Sequence, residues 1–170
     1  MTIFAITIVI IISIIFMYNS LIYKSNQVDN IFSTVDVLLQ KRYDLIPNLV
    51  SVVKAYAKHE SEIFTTISEL RSKAISPGIT NDEKVCVSDE VNNCIDRILI
   101  ITESYPELKS NNQFLKLQES LCEIEEQISA ARRAYNAMVT DYNNAIESIP
   151  TNLIAMSMKY SKKALFKKDI

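Results

Sequence analysis

The sequence predicts an all-α fold: an N-terminal transmembrane helix followed by an antiparallel four-helix bundle. Three observations predict it. Residues 1–23 hold no charged side chain, apolar residues recur at alternating steps of three and four through most of the rest, and one glycine and four prolines serve all 170 residues. Sheets would need more turn residues than that. A repeat of three and four is the mark of helices packed nearly parallel to their neighbours.

The first element is the span. Ile3 to Ile15 is almost unbroken Ile, Val, Phe, Ala and Thr; apolar character continues through Phe16, Met17, Leu21, Ile22 and Tyr23, and the first charge is Lys24. Roughly 20 apolar residues carry a helix across the hydrocarbon core of a bilayer. A cleaved signal peptide would bring basic residues ahead of the run and a small-x-small site after it. No Lys or Arg precedes this run, and Met17-Tyr18-Asn19-Ser20-Leu21 lacks the Ala-x-Ala pattern. A lipoprotein needs a cysteine near the end of the run, and the first here is Cys86. A soluble helix apolar on every side would need partners all round, which an amphipathic remainder does not supply. The reading is an uncleaved single span. Lys24, Lys41 and Arg42 follow it with no basic residue before, which puts the N-terminus outside and the body in the cytoplasm.

Beyond the span, Val28, Ile31, Val35, Leu38, Arg42, Leu45, Leu49, Val52, Tyr56, His59, Ile63, Ile67, Leu70 and Ala74 keep one heptad register across Pro47. One kinked helix fits that register. Against it, a proline inside a helix costs about 3 kcal/mol, and Asp44 is a good cap for a new helix whose first turn accepts Pro47. A turn at Tyr43–Pro47 gives four helices running alternately away from and back toward the membrane, and four are predicted, with three as the alternative. The next helix spans about Asp82 to Ser104, with Val87, Val91, Cys94, Ile95, Ile98, Ile101 and Tyr105 inward and a Thr80–Glu83 capping box. Gly78 lies in the loop before it. Tyr105-Pro106 ends it, and a loop to Asn111 follows. The last helix carries the cleanest seam: Phe114, Leu117, Leu121, Ile124, Ile128, Ala131, Tyr135, Met138, Tyr142, Ala145 and Ile149. Ser110 and Gln113 suit a capping box at its start, and Pro150 stops it. These elements divide the chain into an anchor at 1–23, a helical body at 24–155 and a basic tail at 156–170. In that tail Lys159, Lys162, Lys163, Lys167 and Lys168 flank Leu165 and Phe166, a composition suited to an anionic leaflet or to a frayed end.

A net charge of −2 and a pI near 5.5 argue against nucleic acid as a partner. Cys86, Cys94 and Cys122 are odd in number and sit in helical pattern. They read as small apolar residues in a reducing compartment, with no disulfide set or metal site.

Three stretches carry a family likeness. They are Tyr18-Asn19-Ser20-Leu21; Val35 to Val50 (VDVLLQKRYDLIPNLV) with Val53-Lys54-Ala55-Tyr56-Ala57-Lys58-His59-Glu60; and Ala131-Arg132-Arg133-Ala134-Tyr135-Asn136 with Tyr142-Asn143 and Pro150 to Ala155. A weaker one is Glu103 to Lys109 with Phe114 and Leu117-Gln118. In order and spacing the chain resembles the LemA family of bacterial membrane proteins over nearly its whole length. The resemblance implies an N-terminal span followed by a four-helix bundle and supports the break near Pro47. It implies a fold far more than a function, and the tail past Tyr160 falls outside the matched pattern.

His59-Glu60 is the start of a zinc-peptidase helix, His-Glu-x-x-His, but Ser61-Glu62-Ile63 follows and no second histidine exists. No catalytic, cofactor or metal set is predicted. His59 and Arg42 fall on the apolar seam, where polar residues fix register or partner choice at a cost in stability. Asp36, Arg42, Asp44, His59, Glu60, Arg132 and Arg133 are therefore expected to form a charged network that aligns helices. Tyr135-Asn136 and Tyr142-Asn143 repeat at seven residues, either as core rings with hydroxyls at the edge or as a partner-binding stripe. The function expected is a non-enzymatic interaction or scaffold module bound to the lipid bilayer. Alternatives are a self-associating structural protein and, further off, a metal-dependent hydrolase working through acidic residues.

Overall fold

The computed structural model of the chain describes residues 1–166. Among them are six helices: α1 (Thr2–Lys54), α2 (Ser61–Ala74), α3 (Asn81–Thr102), α4 (Pro106–Lys109), α5 (Asn112–Glu147) and α6 (Thr151–Ser157). No strand occurs among the described residues. Helix α1 holds the apolar run, an 18-residue stretch of mean hydropathy 2.4 of which only 6% is buried. Its length and composition suffice to cross a membrane. Burial on α1 sets in only at Met17 and Leu21.

The expected turn at Tyr43–Pro47 is absent, and α1 continues through Pro47 to Lys54. The physical reason lies one turn back. Proline has no N–H, so the carbonyl four residues earlier, that of Tyr43, loses its helix partner. Arg71 of α2 fills the vacancy, its Nε donating to the Tyr43 oxygen at 2.8 Å. The chain reverses instead at residues 55–60, where Ala57 is wholly buried and the Tyr56 hydroxyl accepts from Asn111 at 3.1 Å. Four long helical stretches still follow the span: the distal part of α1, α2, α3 and α5.

Two compact units are distinguished: Met1–Ser33 with Arg133–Leu165, and Thr34–Arg132 with Phe166. In the second unit the side-chain bonds give the helix directions. Asp36 meets Lys84 and Arg42 meets Ser88, so α1 and α3 run parallel. Arg42 also meets Glu125, and residues 48–52 share a groove with 113–117, so α5 runs opposite to α1. In the first unit Lys24 pairs with Asp141 and Phe32 stacks edge-on with Tyr135, again with one number rising as the other falls.

Burial follows the heptads but is wider than the seam read from sequence. On α1, Val28, Val35, Arg42 and Leu49 are buried as expected, and so are Phe32, Leu39, Ile46 and Val53. On α5, Phe114, Leu121, Ile128, Tyr135 and Tyr142 are joined by Arg132, Val139 and Ile146. A helix with two neighbours buries a broader stripe than a two-stranded seam does. Ile149, at the end of the seam, is exposed.

At the helix ends, Thr80 and Glu83 form the capping box as read. The Thr80 N–H and hydroxyl hold the Glu83 carboxylate, lowering its pKa from the usual 4.5. Helix α5 is capped by Asn111 in place of Ser110. The Asn111 Oδ1 accepts from the N–H groups of Gln113 and Phe114, while Ser110 turns back to the Glu107 carbonyl. The expected loop before Asn111 contains α4, started by Pro106 in the first turn, where a missing N–H costs nothing. Cys94 is buried, its pKa raised by burial, but Cys86 and Cys122 are exposed and do not serve as core residues.

Candidate functional site

The polar centre of the second unit is a pair of arginines. Arg42 is 1% exposed and Arg132 3%. Both guanidinium groups donate to one hydroxyl, Ser88 Oγ of α3, at 2.8 Å from Arg42 and 2.7 Å from Arg132. Arg42 also donates to the Ser88 carbonyl at 3.2 Å, to Asn92 Oδ1 at 3.4 Å and to Glu125 Oε2 of α5 at 3.0 Å. Arg132 lies 3.5 Å from Asp89 and 4.8 Å from the centre of the Phe166 ring, which covers it as a cation–π cap.

Tyr43 completes the cluster. Its hydroxyl is buried without a hydrogen bond of ordinary geometry. Burial raises its pKa above 10, with the neighbouring Arg42 charge pulling the other way. The two guanidinium groups are each matched by a carboxylate, Glu125 and Asp89, and the buried Tyr43 phenol stays protonated at neutral pH. The arrangement can lock α1, α3 and α5 at one level. It is poorly suited to moving protons.

In the first unit the tyrosine–asparagine repeat holds the chain's own C-terminal segment. The Tyr142 hydroxyl donates to the Ser161 carbonyl at 3.1 Å and the Tyr135 hydroxyl to the Ala164 carbonyl at 3.2 Å. The Asn143 amide pairs with Lys163 on both sides, giving to its carbonyl at 3.1 Å and accepting its N–H at 3.0 Å. Lys163 reaches Asp29 of α1 and lies over the Tyr142 ring, which Tyr160 also meets. These are the groups that read an extended peptide by its backbone. Residues 160–165 are thus a docked strap and not a frayed end. Lys162 pairs with Glu147; Lys167 and Lys168 lie outside the described residues.

Of the seven residues expected to form one network, only Arg42 and Arg132 meet at Ser88. Asp36 binds Lys84 Nζ at 2.7 and 2.8 Å, and Asp44 lies between Gln40 and Arg71. His59 is exposed and Glu60 half-buried in the α1–α2 turn, because the helix that would have put His59 on the seam ends at Lys54. Arg133 is on the exposed face of α5. Sequence reading missed Ser88, Asp89, Asn92, Glu125 and Tyr43. Ser88 left a trace: it interrupts the apolar row Val91, Ile95 and Ile98 on α3.

The LemA family pattern matches residues 31–169. The chain belongs to the LemA family. The match runs past Tyr160, so the strap is part of the family pattern, contrary to expectation. Among similar proteins, Protein LemA of Metamycoplasma hominis is 23% identical over 87% of this chain and 68% of its own length. Magnetosome protein MamQ 2 of Paramagnetospirillum magneticum is 24% identical and MamQ of Magnetospirillum gryphiswaldense 22%, each over 88% of this chain. The chain spans 64% of the length of both magnetosome proteins.

Proposed function

We propose that this LemA-family chain is a single-span, N-out membrane protein whose cytoplasmic helical module binds other proteins and catalyses no reaction. One observation carries the reading. Helix α1 is an exposed apolar span at one end and, at the other, a core helix bound through Arg42 and Tyr43 to α3, α5 and α2. The charged cluster on that helix is invested in alignment, as its fixed protonation argues. An open groove of about 550 Å³ beside the end of α1, with Val50 and Phe64 among Ser61, Thr65, Ser68 and Ser72 and with Lys54 and Glu69 also lining it, suits an amphipathic partner helix. Two of the relatives are named for a cellular structure, the magnetosome, and not for a reaction, which supports the same reading.

The test is crosslinking in native membranes, with a C-terminal reporter scored for protection from external protease. A protected reporter and a defined heterologous partner crosslinked beside Phe64 are expected. An accessible reporter overturns the orientation. Crosslinks between copies alone overturn the scaffold in favour of self-assembly, and a stoichiometric metal ion in the purified protein would revive a hydrolase.

A further inference from the structure

Outside the span, four large apolar side chains are more than two-thirds exposed: Ile149 at 86%, Met156 at 74%, Ile100 at 68% and Leu153 at 67%, and all but Ile100 of α3 lie together in residues 149–156. Leu153 and Met156 are three apart and share one side of α6, while Ala155 is buried; Ile149 is exposed in the turn that leads into the helix. An apolar cluster of this kind on a short helix is not explained by chance exposure of single residues.

Its level along α1 says what covers it. In this unit α5 runs opposite to α1, Lys24 facing Asp141 and Phe32 facing Tyr135. Both helices rise by about 1.5 Å per residue, so Ile149 comes level with Phe16–Tyr18. That is where burial on α1 begins, at Met17 and Leu21, and where the exposed apolar run gives way to Lys24. Tyr18 is exposed at the same level and Tyr23 about 7 Å further along α1, as tyrosines of an interfacial belt are. Lys159 and Lys162 follow α6 directly, both exposed.

The geometry points to α6 as a second membrane contact: Ile149, Leu153 and Met156 enter the bilayer interface on the side where the span leaves it, with Lys159 at headgroup level and Lys162, paired with Glu147, beside it. An interfacial helix needs this combination of an apolar face and flanking lysines. The partner is the lipid surface itself. The inference rests on the membrane reading of α1, and its test separates the two.

The chain contains no tryptophan, so Leu153→Trp supplies a single reporter at an exposed position with room for the ring. Met156→Trp is a second on the same side. The full chain is reconstituted into phosphatidylcholine–phosphatidylglycerol vesicles, with Ile8→Trp as a span reporter and Val37→Trp as an exposed reporter away from the span. Expected is a blue-shifted emission from Leu153→Trp relative to Val37→Trp, quenched at least twofold more by lipids brominated near the headgroup than by deeply brominated ones. Ile8→Trp should show the reverse depth order. If Leu153→Trp and Met156→Trp emit as in water while Ile8→Trp is quenched, α6 does not touch lipid and the anchor stands. If Ile8→Trp is not quenched either, the membrane reading falls and takes this inference with it. A blue shift without bromine quenching means that a second copy covers the helix, which also overturns the proposal.

Discussion

The arginine pair makes an asymmetric prediction: removing the acid should harm the fold more than removing the base. Arg42 is buried, permanently charged, and shares the Ser88 hydroxyl with a second buried cation. Glu125→Met leaves both guanidinium groups in place with the anion nearest Arg42 gone. A buried charge stripped of its partner costs about 3–5 kcal/mol. Because the Glu125 side chain is 35% exposed and water can enter its place, the low end applies, about 3 kcal/mol. For a body of roughly 150 residues that is a fall in Tm of about 6–12 °C.

Arg42→Met behaves differently. Glu125 turns to water at little cost, as exposed partners of ion pairs do. Ser88 Oγ keeps the Arg132 bond, the repulsion between guanidinium groups vanishes, and a flexible apolar side chain occupies the stem's space. The expected change is about 1 kcal/mol or less in either direction, with some loss of unique packing. The double variant should resemble Arg42→Met alone, a coupling of about 3 kcal/mol. Urea and thermal melts of the full chain in detergent micelles, followed by far-UV circular dichroism, measure all four corners. Near-UV spectra report the packing. A loss of several kcal/mol from Arg42→Met beside a neutral Glu125→Met would refute the reasoning.

Three further outcomes follow from named contacts. Arg71→Leu should cost about 1–2 kcal/mol, since it orphans the Tyr43 carbonyl, but much less in a Pro47→Ala background where an N–H is restored; equal costs in the two urea-melt series would show the bond to be incidental. Asn143→Leu removes two backbone-reading bonds to Lys163 and should raise trypsin cleavage after Lys162 and Lys163 about tenfold, the equivalent of 1.4 kcal/mol, with Tm nearly unchanged; an unchanged cleavage rate would mean that the strap is held without Asn143. Tyr43 has its folded pKa raised above 10, so it contributes stability that is present below pH 10 and lost as pH rises through that range. Tyr43→Phe should leave neutral-pH stability within about 1 kcal/mol and blunt the alkaline loss, read as urea midpoints between pH 8 and 11.

Much of the fold was legible because heptad spacing is a direct imprint of helix packing. The start of α3 and the seam of α5 needed only local chemistry: a Thr80–Glu83 box and apolar residues at fixed steps. Pro47 misled because its cost is local while its remedy is not. Arg71 stands far along the chain and no sequence rule pairs it with the Tyr43 carbonyl. The turn at 55–60 has no glycine or proline to announce it, and with it went the seam position of His59. The site was half legible for a related reason. An arginine on an apolar row is conspicuous, so Arg42 stood out. Its partners Ser88, Asn92 and Glu125 are ordinary surface residue types, distinguished only once three helices come together. The Tyr142-Asn143 repeat was visible, but the strap that it holds was not, since a segment without regular structure has no period.

The position of the polar cluster within the heptad rows argues that its role is to choose register. On α1 the row Val35, Arg42, Leu49 is apolar but for the arginine; on α3 the row Ser88, Val91, Ile95, Ile98 is apolar but for the serine. Arg132 likewise occupies a buried row position on α5. Repeating apolar rows pack nearly as well after a slip of one heptad, about 10 Å along the axis. A slip that left Arg42 facing Val91 or Ile95 would bury a guanidinium against methyl groups with no acceptor, at several kcal/mol. Three polar interruptions that coincide at Ser88 in only one alignment therefore reject the shifted packings far more strongly than they stabilise the native one. That same logic accounts for the asymmetry expected between Arg42→Met and Glu125→Met. Replacing the arginine removes the selector and leaves a serviceable core, whereas replacing the acid keeps the selector and removes what makes its native position tolerable.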